Sequence, residues 1–273
     1  MRGRYRPFFL ARDYAEQVVA KGKCLLDGPG EYLPLFGIVQ FSSVGFRTAV
    51  KSWLTAKPAE TMSTPEFDAF NYFHACPSVR KIYAQCALDP SDTLEIARRL
   101  RIQHPSVRAG DVIMSTDFVL MVQSGAVSRR LAIAVKREQD LDERVCEKLA
   151  IERHYWLQRN TKWTLLLDTE IPRVPVANMR LVFDFHDSGK LPCDEPALGL
   201  IYAWLTPHVE VGAAALRTLT ARCDYILRLQ EGTSLSAAYH FIVRRVWEID
   251  WERPIHPRPI FVVRPQRSNT QAA

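Results

Sequence analysis

Two apolar runs near the centre of the chain each contain a single charged residue. Ile113 to Val122 is apolar on both sides of Asp117, and Leu131 to Lys136 is apolar until its last residue. Branched and large apolar side chains, bounded by Gly110 and Gly125, favour buried β-strands. A carboxylate inside a buried strand is costly unless it is paired or binds a metal ion. Asp117 is therefore the first candidate functional residue.

The segment between the runs predicts how the two strands pair. Residues 124–127 place glycine at the first central position of a two-residue loop, which is typical of a type II′ hairpin. This turn puts Asp117 opposite Ala134 and makes Lys136 its diagonal neighbour, about 7 to 8 Å away between backbones. A longer loop through the next two residues is the alternative. Alternation adds further residues to this face: Ser115, Val119 and Ala132.

A carboxylate and a lysine that converge from adjacent strands suit phosphodiester hydrolysis. The carboxylate can bind Mg²⁺ together with waters and a substrate phosphate. The lysine can position or activate the attacking water, or offset charge on the phosphate. The alternative is a structural ion pair between Asp117 and Lys136, and these two residues alone favour that simpler interpretation.

A helix is predicted to begin at Ser63 or Thr64, with Pro65 in its first turn and Glu66 after it. An acid in the first turn complements the helix dipole, so Glu66 has a structural explanation. We also expect a strand at Ile82 to Leu88. A helix is expected at Ser91 to Ile102.

The segment Asp140 to Arg159 predicts the most informative helix. Its apolar face also contains Lys148 and Glu152, four residues apart. A charged pair on an inward face predicts a buried ion pair or a polar site beside the sheet. The segment Lys162 to Leu167 then predicts another strand, so the central region is expected to be a β-β-α-β unit.

The pattern changes at Pro172, where prolines interrupt the chain. Three helices are predicted, followed by a two-stranded ribbon, which is typical of a winged-helix module. We therefore expect two domains, residues 1–171 and 172–273. The predicted helices are Glu195 to Leu205, Val211 to Leu229 and Ser234 to Val246; the predicted strands are Trp247 to Trp251 and Ile260 to Val263.

Composition narrows the class of protein. The chain has 273 residues, 47% of them hydrophobic, and a net charge of +6 that favours an anionic partner. Six scattered cysteines without a C-x-x-C pair argue against structural zinc and for reduced thiols. No apolar stretch is long enough for a membrane span, so a cytoplasmic protein is expected. The N-terminal extension is basic, and its polar loop is expected to open a short helix through Trp53. This loop could contact phosphate; the alternative, which the sequence favours, is an ordinary connection. The weak candidates for DNA contact are Ser42, Ser43, Arg47 and His104.

Several fragments, in their order and spacing, resemble the TnsA endonuclease family, the nuclease subunit of Tn-seven-type cut-and-paste transposons. The resemblance extends from about Ser63 to Pro172. Its fragments are Ser63-Thr64-Pro65-Glu66-Phe67-Asp68-Ala69-Phe70, Ile102-Gln103-His104-Pro105, Ser115-Thr116-Asp117-Phe118, Leu131-Ala132-Ile133-Ala134-Val135-Lys136, Arg144-Val145-Cys146-Glu147-Lys148 and Ile151-Glu152-Arg153-His154-Tyr155-Trp156.

The resemblance implies an α/β restriction-endonuclease-like core, a mixed sheet flanked by helices, followed by a mostly helical winged-helix-like domain. By position, the implied catalytic residues are Glu66, Asp117 and Lys136. Mg²⁺, which Mn²⁺ can replace, would be bound by Glu66, Asp117 and the backbone carbonyl of Val135, with Lys148 and Glu152 in support. Ala134 departs from the acid or amide expected two residues before the lysine.

The family's role implies that the chain cuts the non-transferred strands at the 5′ ends of a transposon. A DDE-type transposase, TnsB, would process the 3′ ends. An AAA+ ATPase, TnsC, would dock on residues 172–273. Two alternatives stand beside this reading: a non-catalytic or weakly active assembly subunit, suggested by Ala134, and a winged-helix transcription regulator, suggested by the C-terminal pattern and the basic charge.

Overall fold

The computed structural model describes residues 48–107, 110–257, 262 and 263. The chain divides into two compact units, Met1–Ile171 and Pro172–Ala273. The predicted phosphate-contacting residues Ser42, Ser43 and Arg47 lie outside the described residues, as does the basic N-terminal segment.

A mixed four-stranded sheet forms the centre of the first unit, as the sequence predicts. Its strands lie in the order β3-β6-β7-β8, with β7 and β8 parallel and the other pairs antiparallel. The parallel pair requires a crossover, and the helix Glu143–Gln158 supplies it. The strands are β3 (Val79–Ala87), β6 (Ser115–Ser124), β7 (Val127–Lys136) and β8 (Lys162–Leu167); two-stranded pairs are formed by β1 (Thr48–Val50) with β2 (Ala59–Thr61) and by β4 (Ser106–Val107) with β5 (Gly110–Asp111).

The predicted hairpin register is confirmed. Ser124 pairs with Val127, and the same register continues to Phe118 opposite Ile133. Gly125 has a φ of 58°, a left-handed value that glycine adopts without steric cost. Asp117 is therefore the next residue beyond the paired ladder.

Three helices flank this sheet: α1 (Thr64–Ala75), α2 (Pro90–Leu100) and α3 (Glu143–Gln158). Helix α1 lies on one side, where Phe73 meets Phe118 edge to face at 5.4 Å between ring centroids. Val119, the next residue of β6, belongs to a buried cluster with Ile151 and Trp156 of α3. Adjacent β6 residues thus supply two packing layers, as strand alternation requires.

One prediction in the first unit is wrong and another is confirmed. The short helix through Trp53 is wrong, since Thr48–Val50 is a strand paired with Ala59–Thr61. Ser63 is confirmed as the N-cap of α1, because its side chain accepts a hydrogen bond from the backbone of Glu66.

The second unit contains one helix that the sequence pattern missed. Helix α4 (Arg173–Val182) has Pro172 as its N-cap and Pro175 in its first turn. Proline is tolerated there because first-turn N–H groups have no intrahelical partner. The remaining described helices of this unit are α5 (Glu195–Glu210), α6 (Leu216–Leu227) and α7 (Thr233–Val243).

The predicted C-terminal ribbon is present but short. Strand β9 (Glu248–Ile249) pairs antiparallel with β10 (Val262–Val263). No helix among the described residues is both long and apolar enough to cross a membrane.

Candidate active site

Asp117 and Lys136 meet at the end of the paired ladder between β6 and β7. Lys136 Nζ lies 2.9 Å from Asp117 Oδ2 and 2.9 Å from the carbonyl oxygen of Val135. The backbone N–H of Val135 donates to the same Asp117 oxygen at 2.8 Å. The predicted diagonal pair is thus formed. The N–H of Val135 binds Asp117 and its carbonyl binds Lys136, so the backbone of one residue orients both side chains.

The charge on Lys136 is strongly favoured. Burial opposes that charge, but the attraction and hydrogen bond of Asp117, together with Glu152 and Glu66, raise the pKa of Lys136 above its usual value. The lysine is therefore an ammonium group at neutral pH. In that state it can orient a water molecule or stabilise a phosphate charge, but it cannot accept a proton.

Glu66 is buried at the start of α1 and held by three hydrogen bonds. Its Oε1 accepts from Ser63 Oγ at 3.0 Å, and its Oε2 accepts from the Met62 N–H at 2.9 Å and from Gln85 Nε2 at 3.2 Å. Burial and then the negative charge of Asp117 raise the pKa of Glu66 to about 7, whereas its usual value is 4.5. Glu66 and Asp117 therefore repel each other when both are ionised, and a cation near both would relieve that repulsion.

Glu152 and Lys148 occupy different environments on α3. Glu152 is 5% exposed and accepts a hydrogen bond from Trp163 Nε1 at 3.1 Å. Its burial, followed by the charge of Asp117, raises the pKa of Glu152 to about 7. The predicted inward orientation of Lys148 is wrong, because this side chain is exposed.

Comparisons with known proteins find matches in both units. Residues 76–168 match the family model described as TnsA-like endonuclease N terminal, and residues 170–251 match TnsA endonuclease C terminal. The Transposon Tn7 transposition protein TnsA of Escherichia coli is 34% identical over 211 residues, which cover 76% of this chain and 74% of the relative. The chain belongs to the TnsA endonuclease family. The chain is accordingly an endonuclease of Tn7-type transposition.

The oxygen atoms around Lys136 fit the magnesium ion expected for a TnsA-type nuclease. Asp117 Oδ2 and the Val135 carbonyl converge on one point, because a single ammonium group contacts both. These are hard oxygen donors, and Mg²⁺ needs only one or two protein carboxylates when waters complete its shell. Among the described residues, no group of three or more His, Cys, Asp or Glu side chains forms a metal cluster. A magnesium ion here would therefore take few protein oxygens and would need waters for most of its coordination shell.

Ala134 is fully buried on β7 next to this site. Its methyl group offers no oxygen where an acid or amide is expected in TnsA-like nucleases. The oxygen donors near Lys136 are thus restricted to the neighbouring residues described above, which makes their orientation important.

His104 has a structural role in this TnsA-family chain. The side chain is 8% exposed, with Nε2 3.1 Å from Thr93 Oγ1 and Nδ1 3.1 Å from the Pro105 carbonyl oxygen. Burial lowers the pKa of His104, so the neutral ring is favoured. Because both ring nitrogens are engaged inside the protein, the predicted DNA contact of His104 is not supported.

Gln85 is a site residue that sequence reasoning missed. It lies in β3 between residues paired with Phe118 and Thr116, which places it opposite Asp117 in the register. Its side chain contacts Glu66, as described above, and Ser115 Oγ at 3.4 Å. A single glutamine within an apolar strand gives no sequence signal for these contacts, which join segments far apart in the chain.

Proposed function

We propose that this chain is a Mg²⁺-dependent DNA endonuclease that cuts the non-transferred strands at the 5′ ends of a transposon. The observation that carries the proposal is the convergence of Asp117, the Val135 carbonyl and Lys136 at one point in a TnsA-family chain. Lys136 donates one ammonium N–H to each of these oxygens. The match to the TnsA-like endonuclease model is what favours a nuclease role over a structural ion pair.

Each residue is assigned a role by its environment. Asp117, Glu66 and the Val135 carbonyl would hold Mg²⁺, for which Mn²⁺ can substitute; when bound, the ion polarises the phosphodiester and lowers the pKa of a coordinated water. Lys136 is protonated, so it orients the attacking water and stabilises the negative charge that builds on the phosphate. Glu152, on the adjoining helix, adds an attraction to the charged Lys136 that is smaller than that of Asp117.

The second unit is proposed to bind partner proteins. Residues 170–251 match the TnsA C-terminal family model, and this unit is mostly helical with a two-stranded ribbon after α7. A winged-helix-like arrangement would suit this order of elements. We assign docking of the AAA+ ATPase TnsC to this unit, while the DDE-type transposase TnsB acts with the first unit on transposon-end DNA in the bacterial cytoplasm.

A non-catalytic assembly subunit is the second candidate function. Ala134 favours it, because a buried methyl group replaces an oxygen ligand beside the site. A metal ion that lacks this oxygen ligand would make cleavage weak or dependent on the transposase partner.

Strand-specific cleavage separates these two functions. Transposon-end duplexes labelled on either strand are incubated with the chain and its transposase partner, with and without Mg²⁺. The proposal expects Mg²⁺-dependent nicks at the 5′ ends, which disappear in Asp117→Asn. An assembled complex that never nicks the 5′ ends in Mg²⁺ or Mn²⁺ would instead support the non-catalytic subunit.

A further inference from the structure

Gln85 adopts a backbone conformation that is costly inside a strand. Its φ is 54°, although its neighbours Ala84 and Cys86 both pair with β6. For a residue with a Cβ atom, this left-handed conformation is destabilising. Such strain persists where surrounding structure fixes it, and it is frequent at functional sites.

The strained residue connects one candidate metal ligand to the strand that carries another. Gln85 Nε2 donates to Glu66 Oε2 at 3.2 Å, while Gln85 Oε1 accepts from Ser115 Oγ at 3.4 Å. Ser115 lies two residues before Asp117 on β6, and Gln85 itself lies opposite Asp117 in the register. The 4% exposed amide therefore joins the acid of α1 to the end of β6 that carries Asp117.

Stability alone does not explain a glutamine at this position. Glycine would adopt the same φ without steric cost. The two amide hydrogen bonds are long, at 3.2 and 3.4 Å, and their net contribution to stability is of the same order as the strain. The clearest effect of the side chain is thus on the direction of the Glu66 carboxylate, not on the free energy of unfolding.

We propose that Gln85 is a positioning residue of the nuclease site, which holds Glu66 in the orientation needed to bind a divalent cation with Asp117. This inference deepens the proposed function and rests on it. The orientation of Glu66 matters because few oxygen donors surround Lys136. Groups that orient metal ligands through hydrogen bonds affect metal affinity by about 10–100-fold when they are removed.

The test uses Gln85→Leu and Gln85→Gly in the full chain. Leucine removes both hydrogen bonds and keeps a side chain of similar length, whereas glycine also relieves the backbone strain. Gln123→Leu is the matched control, since Gln123 lies in β6 near the hairpin turn and its side-chain amide donates to the Gly125 carbonyl, away from Glu66 and Asp117. Mn²⁺ binding is measured by calorimetry without DNA, and the free energy of unfolding is measured in urea without metal.

We expect both Gln85 variants to bind Mn²⁺ at least about tenfold more weakly than wild type. Gln85→Gly should bind weakly even though it is no less stable than Gln85→Leu, which a purely structural role would not produce. Wild-type Mn²⁺ affinity in Gln85→Gly would overturn the positioning role while leaving the nuclease proposal intact. A wild-type chain that binds no Mn²⁺ would overturn the metal-dependent function and this inference with it.

Discussion

Asp117 and Lys136 lie diagonally across the β6–β7 pair, with 2.9 Å between Oδ2 and Nζ. The main-chain ladder ends at Phe118 opposite Ile133, and beyond it the Asp117 carboxylate accepts the N–H of Val135. A side chain therefore continues the hydrogen bonding of the sheet where the backbone pairing stops. This arrangement fixes the carboxylate on a rigid element, which catalytic geometry requires.

The first prediction concerns the two charges of this pair. Asp117→Asn keeps an oxygen for the Val135 N–H but removes the charge, and Lys136→Met keeps the apolar stem but removes the ammonium. Each variant should nick transposon-end DNA about 10²–10³-fold more slowly. Asp117→Asn weakens the proposed magnesium site, and Lys136→Met removes the ammonium group that would stabilise charge on the phosphate. Single-turnover nicking with the transposase partner measures the effect.

Lys148→Ala is the control for these variants. Lys148 is exposed on α3, so its loss should leave the nicking rate unchanged. Wild-type nicking by either Asp117→Asn or Lys136→Met would contradict the site, provided that urea unfolding finds the variant folded.

The second prediction is a pH dependence of stability caused by Glu152. The pKa of this buried acid is about 7 in the folded protein, against a usual value of 4.5 in an unfolded chain. Between these values the unfolded state binds fewer protons, so the stability that this group contributes below pH 4.5 is lost as the pH rises through about 7. For a shift of this size the loss is on the order of 3 kcal/mol.

Glu152→Gln should remove this pH-dependent loss while it keeps an oxygen for Trp163 Nε1. The free energy of unfolding, measured in urea with EDTA between pH 4.5 and 8, should fall less in the variant than in wild type. Glu143→Gln, an exposed position in the same helix, is the comparison. Parallel pH profiles for wild type and Glu152→Gln would contradict the prediction.

Local turn chemistry explains why the sequence predicted the centre of the site. Glycine at position 125 fixed the hairpin register, and the register then placed Asp117 beside Lys136. The role of Gln85 could not be predicted, because neither its positive φ nor its contacts with Glu66 and Ser115 follow from local sequence. Lys148 was misassigned because helical periodicity gives the approximate face of a side chain but not whether a long one extends into solvent.

The third prediction is that His104 affects stability and not DNA binding. His104→Ala removes hydrogen bonds to Thr93 Oγ1 and the Pro105 carbonyl from a buried position. Thr93 Oγ1 keeps its hydrogen bonds to the Asp89 and Pro90 carbonyls, and the Pro105 carbonyl keeps the Val112 N–H. The cost is therefore that of two lost hydrogen bonds at about 0.5–1.5 kcal/mol each, so the free energy of unfolding should fall by about 1–3 kcal/mol. DNA affinity, measured by fluorescence anisotropy at a temperature where the variant is folded, should stay at the wild-type value. Weaker DNA binding with unchanged stability would instead restore His104 as a DNA contact.

The fourth prediction uses Ala134 to separate a working nuclease from an assembly subunit. Ala134→Gln places an amide next to Asp117 and Lys136, but it must also fit into a fully buried position. Overpacking of this kind costs about 1–3 kcal/mol, so the variant should be less stable than wild type. An added oxygen donor should nevertheless lower the Mn²⁺ concentration that gives half-maximal nicking, after correction for the folded fraction.

Ala132→Gln is the matched control. Ala132 is equally buried and lies two residues before Ala134 on the same face of β7, so it is farther from Lys136. The Ala132→Gln variant should lose a similar amount of stability, but the Mn²⁺ concentration that gives half-maximal nicking should not fall. If the wild-type complex never nicks while Ala134→Gln does, the native site lacks a ligand that it needs, and the chain acts in assembly. If the wild-type complex nicks in Mg²⁺, the oxygens of Asp117, Glu66 and Val135 suffice, because waters complete the coordination shell.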